Sequence, residues 1–336
     1  MKWLALDIGG ANIKTADGER FCAVHHFRMW ESPQQLADVL RAMIAQVPKV
    51  DHLAATMTGE LADCFATKAE GVHFILQALT AAADGRHTRI YLTNGFLVTP
   101  QIALRQPLLA AASNWHALAS FAGRYATRGA AVLIDIGSTT CDIIPLFDGT
   151  PIATGKTDPE RLINGELVYT GAERSPICAL LREAVWRGQA CSVAQEVFAT
   201  TWDAYLMLGE LPDEPQQTHT ADGKPATRAA ARDRLARMIC CDRTMFDEDD
   251  AREMAAAVAV AQLQLITEAL GKVIFRLPAA PGTIIISGRG EFIARRAIQT
   301  MQLPAAVVSL TSQLGSDISK CATAHALAVL AKEGSR

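Results

Sequence analysis

Leu4-Ala5-Leu6-Asp7-Ile8-Gly9-Gly10-Ala11-Asn12-Ile13-Lys14 opens the chain, and 128 positions on the same design returns as Val132-Leu133-Ile134-Asp135-Ile136-Gly137-Ser138-Thr139-Thr140-Cys141-Asp142-Ile143. Each copy is an apolar run, then Asp-Ile-Gly, then small polar residues, then a second alternating run. Each next meets an Asp-Gly turn signal, Asp17-Gly18 and Asp148-Gly149, followed by a third short β-like run. Alternating runs separated by glycine turns predict tightly joined antiparallel strands, so each copy reads as a three-strand opening. Beyond each opening, helical spacing alternates with short apolar runs. Self-similarity of this kind marks a duplicated unit, and strands interleaved with helices indicate α/β layers. The chain therefore divides into halves at 1–125 and 126–336, the second with a helical insertion at about 177–277.

Within these halves, Ser32 is expected to cap a helix with Pro33 at its first position. Residues 62–83, 114–125, 177–187, 192–208, 228–240, 248–275 and 316–332 read as helical, and 211–225, with three prolines, as a surface loop. The acids Asp247 to Asp250 fit a helix start. Arg228, Arg232, Arg234 and Arg237 fit a solvated helix face, and Cys240-Cys241 a buried pair within a helix. His25 and His26 fall in a strand, where neighbours point to opposite faces.

Lys and Arg number 32 against 35 Asp and Glu, a net charge of −3, so no global positive field favours nucleic acid or anionic lipid. Half the residues are hydrophobic and a fifth charged, the balance of a folded globule. The N-terminus meets Asp7 too soon for a signal peptide. The apolar segment 255–275 carries Gln262, Gln264, Glu268 and Lys272, which favours a buried helix over a membrane span. Eight cysteines without a Cys-x-x-Cys pair read as reduced thiols of a cytoplasmic protein.

An Asp-Ile-Gly turn at a hairpin tip has a definite chemical use. Gly9, Gly10 and Gly137 let consecutive N–H groups converge on an anion, with Asn12, Lys14 and the hydroxyls of Ser138, Thr139 and Thr140 as further donors. Asp7 and Asp135 would repel phosphate directly, so they act through Mg²⁺ or ordered water. Mg²⁺ is the expected cofactor, with Asp7 and Asp135 as its metal ligands. Two matched loops facing one cleft favour a clamp on a single anionic ligand.

These loops resemble those of the superfamily of acetate and sugar kinases, heat-shock chaperones and actin. Residues 7–14 match its first phosphate motif and 135–142 its second; Ile284-Ile285-Ile286-Ser287-Gly288-Arg289-Gly290-Glu291 stands at its adenosine motif. The resemblance implies a duplicated ribonuclease-H-like α/β fold, that of actin-like ATPases, with two lobes around a central cleft. It does not imply a reaction. The second acid Asp142 looks like the hydantoinase and oxoprolinase branch. Thr56-Met57-Thr58-Gly59-Glu60-Leu61-Ala62-Asp63, Ser113-Asn114-Trp115, Thr157-Asp158-x-x-Arg161-Leu162 and Gly165-Glu166-Leu167-Val168-Tyr169-Thr170-Gly171 resemble the ether synthase family of methanofuran and methylofuran biosynthesis, whose bacterial members are tied to tetrahydromethanopterin-linked C1 transfer. That resemblance implies transfer from an aminomethylfuran-methyl diphosphate to the phenol oxygen of γ-glutamyltyramine or a tyrosine relative, with release of pyrophosphate.

Such chemistry requires stabilisation of the departing pyrophosphate, exclusion of water and a proton acceptor for the phenol. Glu60, Asp142 and Asp158 are the acceptor candidates, beside Asp7 and Asp135 in the catalytic set. Gly288, Arg289 and Gly290 join the phosphate binders, Arg289 as a bidentate clamp. Thr58, Asn114, Lys156, Arg161, Glu166, Tyr169 and Glu291 are the candidate substrate contacts. Charge at Arg289 and Glu291, where an adenine would rest, weighs against ATP as substrate. An ATP-dependent small-molecule kinase, an oxoprolinase-like amidohydrolase and a nucleotide-gated binding protein are the alternative readings. The expected partners are small molecules, with no nucleic acid, no membrane and room for a homodimer.

Overall fold

The structure, a computed structural model, describes residues 2–334. In the first half, β1 (Trp3–Ile8), β2 (Asn12–Ala16), β3 (Cys22–His26), β4 (His52–Met57), β5 (His87–Tyr91) and β6 (Leu97–Val98) lie in the order β3-β2-β1-β4-β5-β6. In the second, β7 (Ala130–Ile136), β8 (Cys141–Phe147), β9 (Thr150–Pro151) and β10 (Leu167–Val168) precede a hairpin of β11 (Glu183–Trp186) and β12 (Gln189–Ser192). The sheet is completed by β13 (Thr283–Ser287) and β14 (Ala306–Ser309), in the order β10-β8-β7-β13-β14, with β9 also beside β8. The Asp-Ile-Gly strand is central in both sheets. β1 runs antiparallel to β2 and parallel to β4; β7 runs antiparallel to β8 and parallel to β13. Register repeats as well, Asp7 opposite Lys14 and Asp135 opposite Asp142. The two halves are copies of one ribonuclease-H-like design.

Both central strands are buried almost throughout, because helices cover both faces of each sheet. The halves exchange part of that cover. The helix Asn114–Ala122, which ends the first half, packs Leu118 and Phe121 against Leu133, Ile144 and Leu146 of the second sheet. The helix Ala322–Glu333, at the end of the second half, packs Leu327, Ala328 and Ala331 against Trp3, Ala5 and Ala54 of the first. Its small residues allow the close approach that both sheets require. The helix Glu248–Arg276 is long and apolar enough to cross a membrane by length and composition. Its inner face nevertheless enters the core of the second half, where buried Gln262 bonds Thr170 Oγ1 at 2.7 Å and the Gly171 carbonyl at 2.8 Å.

Several local expectations need correction. Residues 177–187 and 192–208 are helical only at Ile177–Leu180 and Thr201–Met207; between them lies the β11–β12 hairpin. Arg187 and Gly188 both take positive φ there, 51° and 79°, which forms a tight two-residue turn and ends any helix. The 62–83 helix starts only at Lys68, and the last helix is broken between Ser319 and Ala322. Ser32 precedes a short 3₁₀ turn without a side-chain cap bond. Cys240 is exposed and left-handed, so it follows the helix Arg228–Arg237 and only Cys241 is buried. Arg234 is not solvated: fully buried, it bonds Asp203 at 2.7 Å and Asp222 at 3.0 Å. Asp247 does cap its helix, accepting from the N–H groups of Asp249 and Asp250.

Candidate active site

The two hairpin tips share one geometry. The Gly9 N–H donates to the Asn12 carbonyl at 3.0 Å, and the Gly137 N–H to the Thr140 carbonyl at 2.9 Å. The outward carbonyls are taken by bracing segments. Met29 N–H donates to Gly10 and Phe27 N–H to Ala11; Ala172 N–H donates to Gly137, and the Glu173 and Arg174 N–H groups to Ser138. Gly171 makes the second brace possible, since a Cβ there would stand 2.5 Å from Thr139 N. The amides of Gly10, Ala11, Ser138 and Thr139 donate to no protein group among the described residues. Both tips therefore present open N–H groups, the arrangement an anion nest requires.

A cleft of about 1390 Å³ lies between the halves, lined by Ala11, Asn12, Lys14, Asp135, Gly137 and Ser138 with Gly288, Arg289 and Glu291 of a third loop, residues 288–291 after β13. Asp135 carries a pKa raised to about 6, by burial first and then by Asp142, with Lys14 opposing. Asp7 is close enough to raise it further; burial raises the pKa of Asp7 itself against the pull of Lys14, and its Oδ1 has no partner. Gly288, with φ of +86°, lets the third loop press on this strand end, where a Cβ would come within 2.8 Å of Asp135 Oδ1.

The third loop does not work as the sequence suggests. Arg289 Nε bonds Glu173 at 2.5 Å and Arg289 Nη2 bonds Glu214, so its guanidinium ties the insertion to the cleft wall rather than standing free as a clamp. Gly290 donates its N–H to the Ile136 carbonyl at 2.9 Å, and Glu291 accepts from Ser309 Oγ at 2.6 Å and Thr311 N at 3.0 Å. Two other cations line the cleft without a salt bridge among the described residues: Lys14, anticipated, and Arg174, not selected from sequence. Arg174 lies over the Trp30 ring at 5.9 Å. The signal that could have found it is its place directly after Gly171-Ala172-Glu173, at the end of the polar segment that follows the second hairpin.

A second charged cluster lies behind the hairpins. Arg161, 1% exposed, donates to Asp142 at 2.6 Å and to the Glu166 carbonyl at 3.1 Å, with its guanidinium 4.3 Å over the Trp115 ring. Lys68, from the first half, bonds Asp158, from the second, at 2.5 Å. Glu60 is 1% exposed beside this pair; burial raises its pKa to about 7, and its Oε2 has no partner. Glu60 follows Gly59, whose Cβ position would lie 3.1 Å from the Gly9 carbonyl, so the turn that carries Glu60 packs on the first hairpin tip. Thr58 donates its N–H to Ile8 at 3.0 Å at the same strand end. Asn114 begins its helix next to Ser113, whose Oγ bonds Thr56 at 2.7 Å. Lys156 lies near His116, where burial first and then Lys156 and Arg161 lower the histidine pKa to about 4. Glu166 departs from its expected place at a substrate mouth. It is fully buried, and its carboxylate accepts the N–H groups of Thr154 at 2.8 Å and Gly155 at 2.9 Å. Arg161 and Asp142 likewise neutralise each other, and Tyr169 is 66% exposed.

A family model described as hydantoinase/oxoprolinase matches residues 51–333. The chain is 34% identical to the (4-{4-[2-(gamma-L-glutamylamino)ethyl]phenoxymethyl}furan-2-yl)methanamine synthase of Methanocaldococcus jannaschii over 331 residues, 97% of this chain and 96% of that protein. The chain belongs to this hydantoinase/oxoprolinase-related synthase family. A synthase of the same name from Methanococcus vannielii is 32% identical over 203 residues, 60% of this chain and 90% of that protein. Among solved structures, a type IV pilus biogenesis complex, PilM-PilN, aligns with a TM-score of 0.50 at 12% identity over 98% of both chains, a likeness of fold alone.

For a member of this synthase family, the division of polar groups is informative. The duplicated loops, which belong to the fold, line the cleft with open amides. The motifs quoted for the synthase family converge behind them: Glu60, Asp158 and Arg161 meet within one cluster spanning both halves, with Trp115 beneath it.

Proposed function

We propose that the protein is a transferase that forms an aryl ether by joining an aminomethylfuran-methyl diphosphate to the phenol of a γ-glutamyltyramine or tyrosine acceptor, with release of pyrophosphate, in the biosynthesis of a furan C1 carrier. The observation that carries this reading is the end-to-end match to the synthase, 34% identical over 97% of the chain. The name of that relative describes a phenoxymethyl-furan, and the bond that unites its two parts is the ether. Open amides at Gly10, Ala11, Ser138 and Thr139, with Lys14 beside them, suit a diphosphate. The Arg289–Glu173–Glu214 unit places charge where an adenine would need apolar contact, which supports a diphosphate ligand over ATP.

Bond breaking at a furylmethyl carbon leaves positive charge that the ring delocalises, so the work of the protein is to hold the departing anion and keep water out. The loop amides and Lys14 point their positive charge at the place where that anion develops. Among the acceptors anticipated for the phenol proton, Asp142 and Asp158 are held in ion pairs with Arg161 and Lys68, whereas Glu60 makes no salt bridge among the described residues and its Oε2 has no hydrogen-bond partner. A pKa near 7 suits a general base far better than an ordinary carboxylate does. Mg²⁺ fits the donor set: Asp7 has an orphaned buried oxygen, Asp135 faces the cleft, and one or two carboxylates with phosphate oxygens make up a usual Mg²⁺ site. Bound there, Mg²⁺ would neutralise charge on the diphosphate.

The direct test incubates the protein with Mg²⁺, furylmethyl diphosphate bearing an aminomethyl group, and tyramine, γ-glutamyltyramine or tyrosine, following pyrophosphate release and product mass. Ether formation without ATP is expected and should fall sharply in Asp135→Asn. ATP turnover on some alcohol with no ether product would sink the reading.

A further inference from the structure

We propose that Trp30 and Arg174 form a divided subsite for the donor, in which Arg174 takes the diphosphate and the indole of Trp30 supports the flat furylmethyl group as positive charge builds on its carbon. The inference rests on the ether-synthase reading and assigns the part of the cleft that handles the leaving group. Trp30 comes from the first half, just after β3, and Arg174 from the second, after β10; both line the cleft. Trp30 is 38% exposed and Arg174 is exposed, with its guanidinium 5.9 Å from the ring centroid.

Arg174 is rooted in the anion loop. Its N–H donates to the Ser138 carbonyl at 2.9 Å, next to the open amides of Ser138 and Thr139. Lys14 and Arg174 both reach Glu173 electrostatically, so the two unpaired cations converge on one region. The nearby carboxylates are otherwise engaged, Glu173 and Glu214 by Arg289 and Glu31 by Arg28. An exposed guanidinium held by an indole face and the field of Glu173, without a salt bridge, will move to a diphosphate, whose charged oxygens bind it far more strongly. That movement uncovers the indole at the moment a ligand arrives.

In the reaction, the bond between the furylmethyl carbon and the diphosphate oxygen breaks, and its electron pair leaves with pyrophosphate. The phenol oxygen supplies the pair for the new carbon–oxygen bond, and its proton passes to Glu60. Between these events the furylmethyl carbon is electron-poor, and the negative face of an indole stabilises such charge.

Wild type, Trp30→Phe, Trp30→Leu and Arg174→Gln are compared for ether formation and, by calorimetry, for binding of inorganic pyrophosphate with Mg²⁺. Arg174→Gln is expected to weaken pyrophosphate about tenfold. Trp30→Leu is expected to leave pyrophosphate binding within about twofold and to lower kcat on the order of 30-fold, with Trp30→Phe retaining most of the rate. Unchanged pyrophosphate affinity in Arg174→Gln overturns the role of Arg174; equal losses of kcat in the Phe and Leu variants overturn that of Trp30. If wild type forms no ether, the synthase reading fails and the Trp30 role with it, while the calorimetry still decides Arg174.

Discussion

Arg161 donates to Asp142 at 2.6 Å across a pair in which both side chains are buried, and the pair fastens the start of β8 to the helix Asp158–Asn164. Asp142 is the cross-strand partner of Asp135, so this ion pair also sets the charge behind the cleft acid.

Removing one member leaves the other charge buried without a partner. Arg161→Met is expected to cost about 3–5 kcal/mol in denaturant unfolding, and Asp142→Leu with Arg161→Met to recover much of that loss. A cost below about 1 kcal/mol in the single variant would show that the pair is not closed to solvent.

Glu60 has a pKa raised from 4.5 to about 7 by burial. Between those values the folded state binds more protons than the unfolded state, so stability should fall as pH rises through this window, by up to about 3 kcal/mol. Glu60→Gln is expected to flatten that slope. The same variant should remove the limb near pH 7 from the pH–rate profile and lower turnover on the order of 100-fold. An unchanged limb would exclude Glu60 as the proton acceptor.

Lys68 and Asp158 join the two halves at 2.5 Å, each about one-fifth exposed. Lys68→Met is expected to lower turnover roughly tenfold through looser alignment of the halves, with a stability change near 1 kcal/mol or less. Restoration of the rate by the swapped pair Lys68→Asp with Asp158→Lys would confirm that the link itself matters. Rates measured at saturating substrate distinguish this from weaker binding.

Lys14 and Arg289 should behave differently although both line the cleft. Lys14→Ala is expected to weaken pyrophosphate binding at least about tenfold, since this cation has no competing salt bridge. Arg289→Ala should change it by no more than about threefold, because the guanidinium is already bound to Glu173 and Glu214. The reverse order in a calorimetric titration would return Arg289 to the role of clamp.

The duplicated loops were legible because glycine spacing and strand alternation are local signals, and both copies keep the same bond between Gly9 and Asn12 and between Gly137 and Thr140. The β11–β12 hairpin was not, since Leu180, Leu181, Arg182, Glu183 and Ala184 are good helix formers that run into it, and only the turn at Arg187 and Gly188 reveals the strands. Charged residues were the hardest to place. Arg289, Glu166 and Arg161 all read as ligand contacts, yet each is held by protein partners that lie far away or on another element.

The amino-acid sequence by itself determined the repeat, the two glycine hairpin tips and the family motifs, because backbone turns and strand patterns depend on neighbouring residues. Only the tertiary structure decided which charges remain for a ligand. That outcome depends on partners brought together from distant positions: Glu173 and Glu214 engage Arg289, Lys68 engages Asp158, and among the described residues Lys14 and Arg174 line the cleft without a salt bridge while Glu60 Oε2 stays buried without a partner.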